Sequence, residues 1–120
     1  MGRVIHFEIC SSDLAPVLDF YSKCFGWTIT PKEDGYYIIH TGSQDEKGIN
    51  GGLTKGDDIK QGIIPTINVD SVKKTIAEIK KAGGTVREKT KVLPGTGYVA
   101  YCTDPNGNWL TIIEYDSKAK

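Results

Sequence analysis

The sequence repeats itself once, and that repeat limits what the chain can fold into more than any other feature. A β-rich run from Arg3 to Cys10 leads into the polar cluster Ser11, Ser12 and Asp13, then into a stretch carrying Leu14, Val17, Leu18 and Tyr21 that stops near Gly26. Ser and Asp offer acceptors to the free N–H groups of a helix start, and Gly takes the left-handed conformation that ends one. The second half runs the same way. Ile63 to Val69 reads as a strand, Asp70-Ser71 as a cap, Val72, Ile76 and Ile79 as a helical stripe, and Gly83-Gly84 as the stop. Superposition places Leu14 on Val72, Leu18 on Ile76, Tyr21 on Ile79 and Gly26 on Gly84.

Three strands follow each helix. In the first half they are Trp27 to Thr30, Tyr36 to His40 and Gly48 to Leu53, the last two joined by a polar loop over 41–47. In the second they are Thr85 to Arg87, Tyr98 to Thr103 and Trp109 to Tyr115, the last two joined by Asp104-Pro105-Asn106-Gly107, whose residue types make a reversal. The pattern predicts an α+β fold of tandem βαβββ modules, about 1–57 and 61–117, in a single domain with a polar linker over 56–60. A module this short buries too little apolar surface to stand alone, so the two are expected to pair into a barrel-like curved mixed sheet with a concave pocket. A generic sandwich with a coincidental repeat would not keep starts, stops and strand triplets in register.

Composition closes off several function classes. Fifteen Lys and Arg balance fifteen Asp and Glu in 120 residues, and the basic residues are scattered, so nucleic acid is excluded as a partner. No apolar run approaches the roughly 20 residues of a membrane helix, and Met1 leads straight into strand-like sequence without a signal segment. Three cysteines, Cys10, Cys24 and Cys102, are odd in number, lack CxxC spacing and sit among apolar neighbours. They read as reduced thiols packed as small hydrophobes in a cytoplasmic protein. The lysines of the second helix and the tail Ser117-Lys118-Ala119-Lys120 read as solvated surface.

The run His6 to Leu14 (HFEICSSDL), Asp19-Phe20-Tyr21 leading into Phe25-Gly26-Trp27, and the late Asp104-Pro105-Asn106-Gly107-Asn108 together resemble the vicinal oxygen chelate superfamily. That family holds glyoxalase I, bleomycin-resistance proteins and extradiol dioxygenases, and the likeness covers essentially the whole chain. The resemblance implies the glyoxalase/bleomycin-resistance-like fold, a small-molecule ligand and a homodimer. In metal-using members four strand-borne ligands surround a divalent ion. Here the first position keeps its His as His6, while the others fall on Gly52, Ile64 and Thr111. Glu114 follows on the last strand with the opposite phase to Thr111.

A divalent ion at a catalytic site needs at least three protein donors, so a lone imidazole does not hold one. His6, Glu8 and Cys10 share one strand face, but i to i+4 spans roughly 13 Å, which keeps His6 and Cys10 from meeting on one ion. No metal or other cofactor is therefore expected, and a divalent ion at His6 is the alternative. The expected pocket lining is His6, Glu8, Asn50, Gly52, Ile64, Thr66, Trp109 and Thr111, with His6 and Glu8 as candidate acid and base. Trp109 shares the phase of Thr111 and Ile113 and offers an aromatic wall, and Pro94-Gly95-Thr96-Gly97 reads as a connecting loop able to gate a pocket. Three readings of function stand together: a metal-free binder of a small organic molecule; a lyase, isomerase or dioxygenase with atypical ligands; and an accessory protein whose dimer matters more than its pocket.

Overall fold

The computed structural model describes residues 2–33, 35–56 and 61–120. The linker expected over 56–60 lies outside the described residues except for Gly56. The elements run β1 (Arg3–Ser11), α1 (Leu14–Phe25), β2 (Thr28–Glu33), β3 (Tyr36–His40), β4 (Gly51–Lys55), β5 (Gly62–Asn68), α2 (Val72–Lys81), β6 (Thr85–Val86), β7 (Lys91–Leu93), β8 (Gly97–Thr103) and β9 (Trp109–Tyr115). This is the expected α+β order, with one strand more than the repeat predicts. Strand β7 is three residues long, exposed throughout, and followed directly by Pro94, so no alternation of buried and exposed positions betrays it in the sequence.

Two compact units form. One is His6–Ile64; the other is Pro65–Lys120 with the start of the chain through Ile5. The first residues join the second unit because the Gly2 N–H donates to the Asn68 carbonyl at 2.7 Å.

In the first unit β4 pairs in parallel with β1 and antiparallel with β3, and β3 pairs antiparallel with β2. Ile9, Ile39 and Leu53 are buried there, and Leu14, Val17, Leu18 and Tyr21 of α1 pack onto them. Tyr21 also stacks on Trp27, with centroids 4.9 Å apart and planes 7° from parallel. The helix ends as expected: Gly26 sits at φ 70° and its N–H donates to the Ser22 carbonyl. Its start differs from expectation, since Asp13 is the N-cap by position but its carboxylate makes no cap hydrogen bond.

The second unit repeats the plan, with β9 parallel to β5 and antiparallel to β8, while β6 and β7 both pair with β8. Val69, Val72, Ala100, Cys102 and Ile112 form its core, with Ile76 and Ile79 of α2 packed against it. Here the cap is made, the Ser71 hydroxyl accepting from the Lys74 N–H at 3.1 Å. A second acceptor comes from across the sheet, for the Glu114 carboxylate accepts from the Val72 N–H at 2.9 Å. The phase that turns Glu114 away from Thr111 therefore turns it onto the positive end of α2. Asp104 is more than a turn former. Its carboxylate accepts from the Asn108 amide, the Asn108 N–H and the Asn106 N–H, and these bonds hold its pKa below the usual carboxylate value.

Two surface expectations are corrected. Cys10 and Cys102 are buried but Cys24 is exposed, because it lies on the side of α1 away from Ile9 and Leu53. The tail is not all solvated. Ala119 is 5% exposed and its carbonyl accepts from the Gly95 N–H at 2.8 Å, tying down the turn between β7 and β8.

Replacing Glu114 by Ala removes one charged acceptor from a helix start and should cost about 1 kcal/mol, with Glu114→Gln costing less because its amide oxygen still accepts. Urea unfolding of the two variants checks this.

Candidate functional site

Alternation along β1 sends Phe7 and Ile9 toward α1 and leaves His6, Glu8 and Cys10 on the opposite face. Register extends that second face sideways. Glu8 lies beside Gly52, Cys10 beside Thr54, Ile38 across from Gly52, and Tyr36 across from Thr54. The Tyr36 ring leans along the strands and lies over Gly52. A Cβ built on Gly52 would overlap the Tyr36 hydroxyl and come within 2.7 Å of the ring Cζ. Gly52 is buried, so the group presented at its position is the Tyr36 phenol.

Burial, then the nearby carboxylates of Glu8 and Glu33, push the Tyr36 pKa up to about 12. The phenol thus stays protonated at neutral pH and can donate a hydrogen bond. His6 is half-buried, and desolvation lowers its pKa from 6.5, so its imidazole is neutral at pH 7. Asn50 serves the backbone, its side-chain oxygen accepting from the Thr41 N–H at 2.9 Å and from the Thr41 hydroxyl at 3.3 Å to close the loop before β4. Ile64 is 2% exposed and aliphatic. His40, the other histidine, ends β3 exposed, opposite Thr28.

The second unit has a comparable face. Thr66 pairs with Thr111, Thr111 with Tyr101, and Trp109 with Thr103, while Leu110 and Ile112 point into the α2 core. Thr111 is 4% exposed, and its hydroxyl has no hydrogen-bond partner among the described residues. The Arg87 guanidinium stands 5.9 Å from the Trp109 ring centre and donates from Nε to the Thr103 hydroxyl at 3.1 Å. The Lys91 ammonium stands 5.2 Å from the Tyr101 ring centre. Sequence reasoning missed Tyr36, Arg87, Lys91 and Tyr101. The two cations lie in a segment of short, exposed strands, and only the pairing with β8 brings them to the aromatic rings.

The residues at the family's four metal positions do not fit a metal centre. Gly52 has no side chain and its space is taken by Tyr36; Ile64 has no donor; Thr111 offers one neutral hydroxyl. No three His, Cys, Asp or Glu side chains come together among the described residues.

Parallel pairing of first with last strand in each of two βαβββ units, a helix on one face and mixed polar groups on the other, defines a protein of the vicinal oxygen chelate class. The sequence model described as Glyoxalase/Bleomycin resistance protein/Dioxygenase superfamily matches residues 3–112, and the chain belongs to that superfamily. A protein of Vibrio parahaemolyticus serotype O3:K6 named probable lactoylglutathione lyase is 32% identical over 94% of this chain and 91% of its own. A hypothetical protein from Bacillus halodurans C-125 superposes with a TM-score of 0.66 at 18% identity, covering 99% of this chain and 98% of the other. Methylmalonyl-CoA epimerase from Mycobacterium tuberculosis gives 0.62 at 15% identity, over 96% and 88%. The two solved structures share the fold. No helix among the described residues is long and apolar enough to cross a membrane.

A lowered His6 pKa means that the folded state binds its proton less readily than the unfolded chain does. Stability is then full above pH 6.5 and falls as the pH drops below that value toward the folded pKa. Denaturant midpoints at pH 7.5 and pH 5 should fall further for wild type than for His6→Gln; an equal fall contradicts a desolvated imidazole.

Proposed function

We propose that the chain binds a small organic molecule on the strand faces that turn away from its helices, without the four-donor metal centre of metal-using relatives. The observation that carries this reading is the Tyr36 phenol over Gly52. It puts, at one of the family's metal positions, a neutral hydrogen-bond donor that burial and two carboxylates keep protonated. Of the remaining polar groups of that face, the neutral His6 can donate from its ring N–H to a carbonyl or amide oxygen of an organic ligand, and Glu8 beside Gly52 can accept from a hydroxyl or an amide N–H. A cytoplasmic homodimer fits the composition and the family.

A second reading, a lyase or isomerase acting on a thioester, is favoured by the relative named probable lactoylglutathione lyase, which aligns with nearly the whole chain. In that reading Glu8 takes the proton next to a thioester carbonyl and the Tyr36 phenol steadies the oxygen that gains charge.

Two measurements separate them. Metal analysis of untagged protein, followed by thermal shifts with Zn²⁺, Ni²⁺, Mn²⁺ and Fe²⁺ on wild type and His6→Ala, should show no stoichiometric ion and no His6-dependent shift. A panel of thiol adducts, methylmalonyl-CoA, keto acids and aromatic antibiotics should contain a stabilising ligand, since a compound at 100 times its dissociation constant adds about 2.7 kcal/mol. An equimolar metal lost with His6, or turnover of lactoylglutathione that disappears in Glu8→Gln, would replace the first reading by the second.

A further inference from the structure

The second unit carries a feature that neither its core nor its turns require. Arg87 stands over Trp109 and Lys91 over Tyr101 on the face of β8 and β9 that does not pack on α2. Exposed cations gain little from lying on a ring, and their long side chains lose rotamer freedom in doing so. Between the two rings lies an unmet need. Thr111 pairs directly with Tyr101 and lies one pleat from Trp109, and its buried hydroxyl has no partner among the described residues. An orphaned buried hydroxyl destabilises the protein that carries it, and it is satisfied by whatever brings an oxygen to it. Arg87 is already steered by its bond to the Thr103 hydroxyl, which fixes the guanidinium plane and leaves its terminal nitrogens as donors. Two cations held on aromatic rings near an unpartnered hydroxyl make an anion receptor in which part of the ordering cost of the charged side chains is met before the ligand arrives.

We infer that this face, with Arg87, Lys91 and Thr111 as its polar contacts and Trp109 and Tyr101 as its walls, binds the carboxylate or phosphate group of a small organic ligand. The inference rests on the small-molecule reading above and narrows it, for the strand face of the second unit, to anionic compounds. The ligand's charged oxygens bond to Arg87 and Lys91, and a further oxygen reaches Thr111 as the ring of Trp109 or Tyr101 gives way. Neutral molecules gain only the aromatic contact.

Three probes test it by calorimetry on the full chain. S-hexylglutathione offers carboxylates and no phosphate, coenzyme A offers phosphates, and pantetheine is an uncharged thiol. One of the charged probes should bind about ten-fold or more tightly than pantetheine, lose that advantage as salt rises, and thereby name the anion. Arg87→Gln and Lys91→Gln should each weaken it about ten-fold while leaving pantetheine unchanged. Thr111→Val should raise the melting temperature of the free protein by a few degrees, because the orphaned hydroxyl is gone, yet weaken the charged probe. A residue with a merely structural role would not move those two readouts in opposite directions. Charged probes that bind wild type and both glutamine variants alike would overturn the anion site and leave the small-molecule reading standing. If neither charged probe binds, the anion site also falls, and the wider ligand panel alone decides whether the small-molecule reading survives.

Discussion

A strand residue faces its helix or faces away from it, and this two-residue period decides what every other part of the molecule can do. In β1 it gives Phe7 and Ile9 to the hydrophobic core and His6, Glu8 and Cys10 to the other face. In β9 it gives Leu110 and Ile112 to the core, turns Glu114 onto the start of α2, and leaves Trp109 and Thr111 opposite. A slip of one residue would exchange the two sets and bury Glu8 against α1. The helices therefore fix which side chains of β1 and β9 turn away from them.

Register then assigns neighbours. Gly52 falls between Glu8 and Ile38, and its missing side chain is the condition for the Tyr36 phenol to lie over it. One pair of residues thus accounts for the protonated phenol at one of the family's metal positions and for its closeness to the carboxylate of Glu8. In the second unit the same logic places Thr111 between Thr66 and Tyr101, where a hydroxyl sits without a partner. The two faces that turn away from the helices are chemically different. The first carries a neutral imidazole, a phenol and a carboxylate; the second carries two cations supported on aromatic rings.

Much of the fold was legible because helix starts and stops are written in local residue types. Gly26 ends α1 and Ser71 caps α2 as their chemistry requires, and β3 and β9 have the bounds that alternation gives them. Strand β7 was not legible, since an edge strand with every side chain exposed has no period to read. The site was legible only in part. The residues of β1 and β9 could be placed because each lies on a long strand with a clear phase. Tyr36 could not, because its place over Gly52 depends on how far its ring leans along the strands, away from its own partner Thr54 and onto the partner of Ile38. Arg87 and Lys91 could not either, because their positions come from pairing with β8 and not from any pattern of their own.

The contact between Tyr36 and Gly52 sets the chemistry of the first unit's site, and a double-mutant cycle measures it directly. Gly52→Ala should destabilise the wild-type protein by about 1–3 kcal/mol, as a methyl forced against a packed ring does. In a Tyr36→Ala background, where the space over Gly52 is open, the same substitution should cost much less. An equal cost in the two backgrounds would mean that the phenol does not occupy that place, and would contradict the reading built on it.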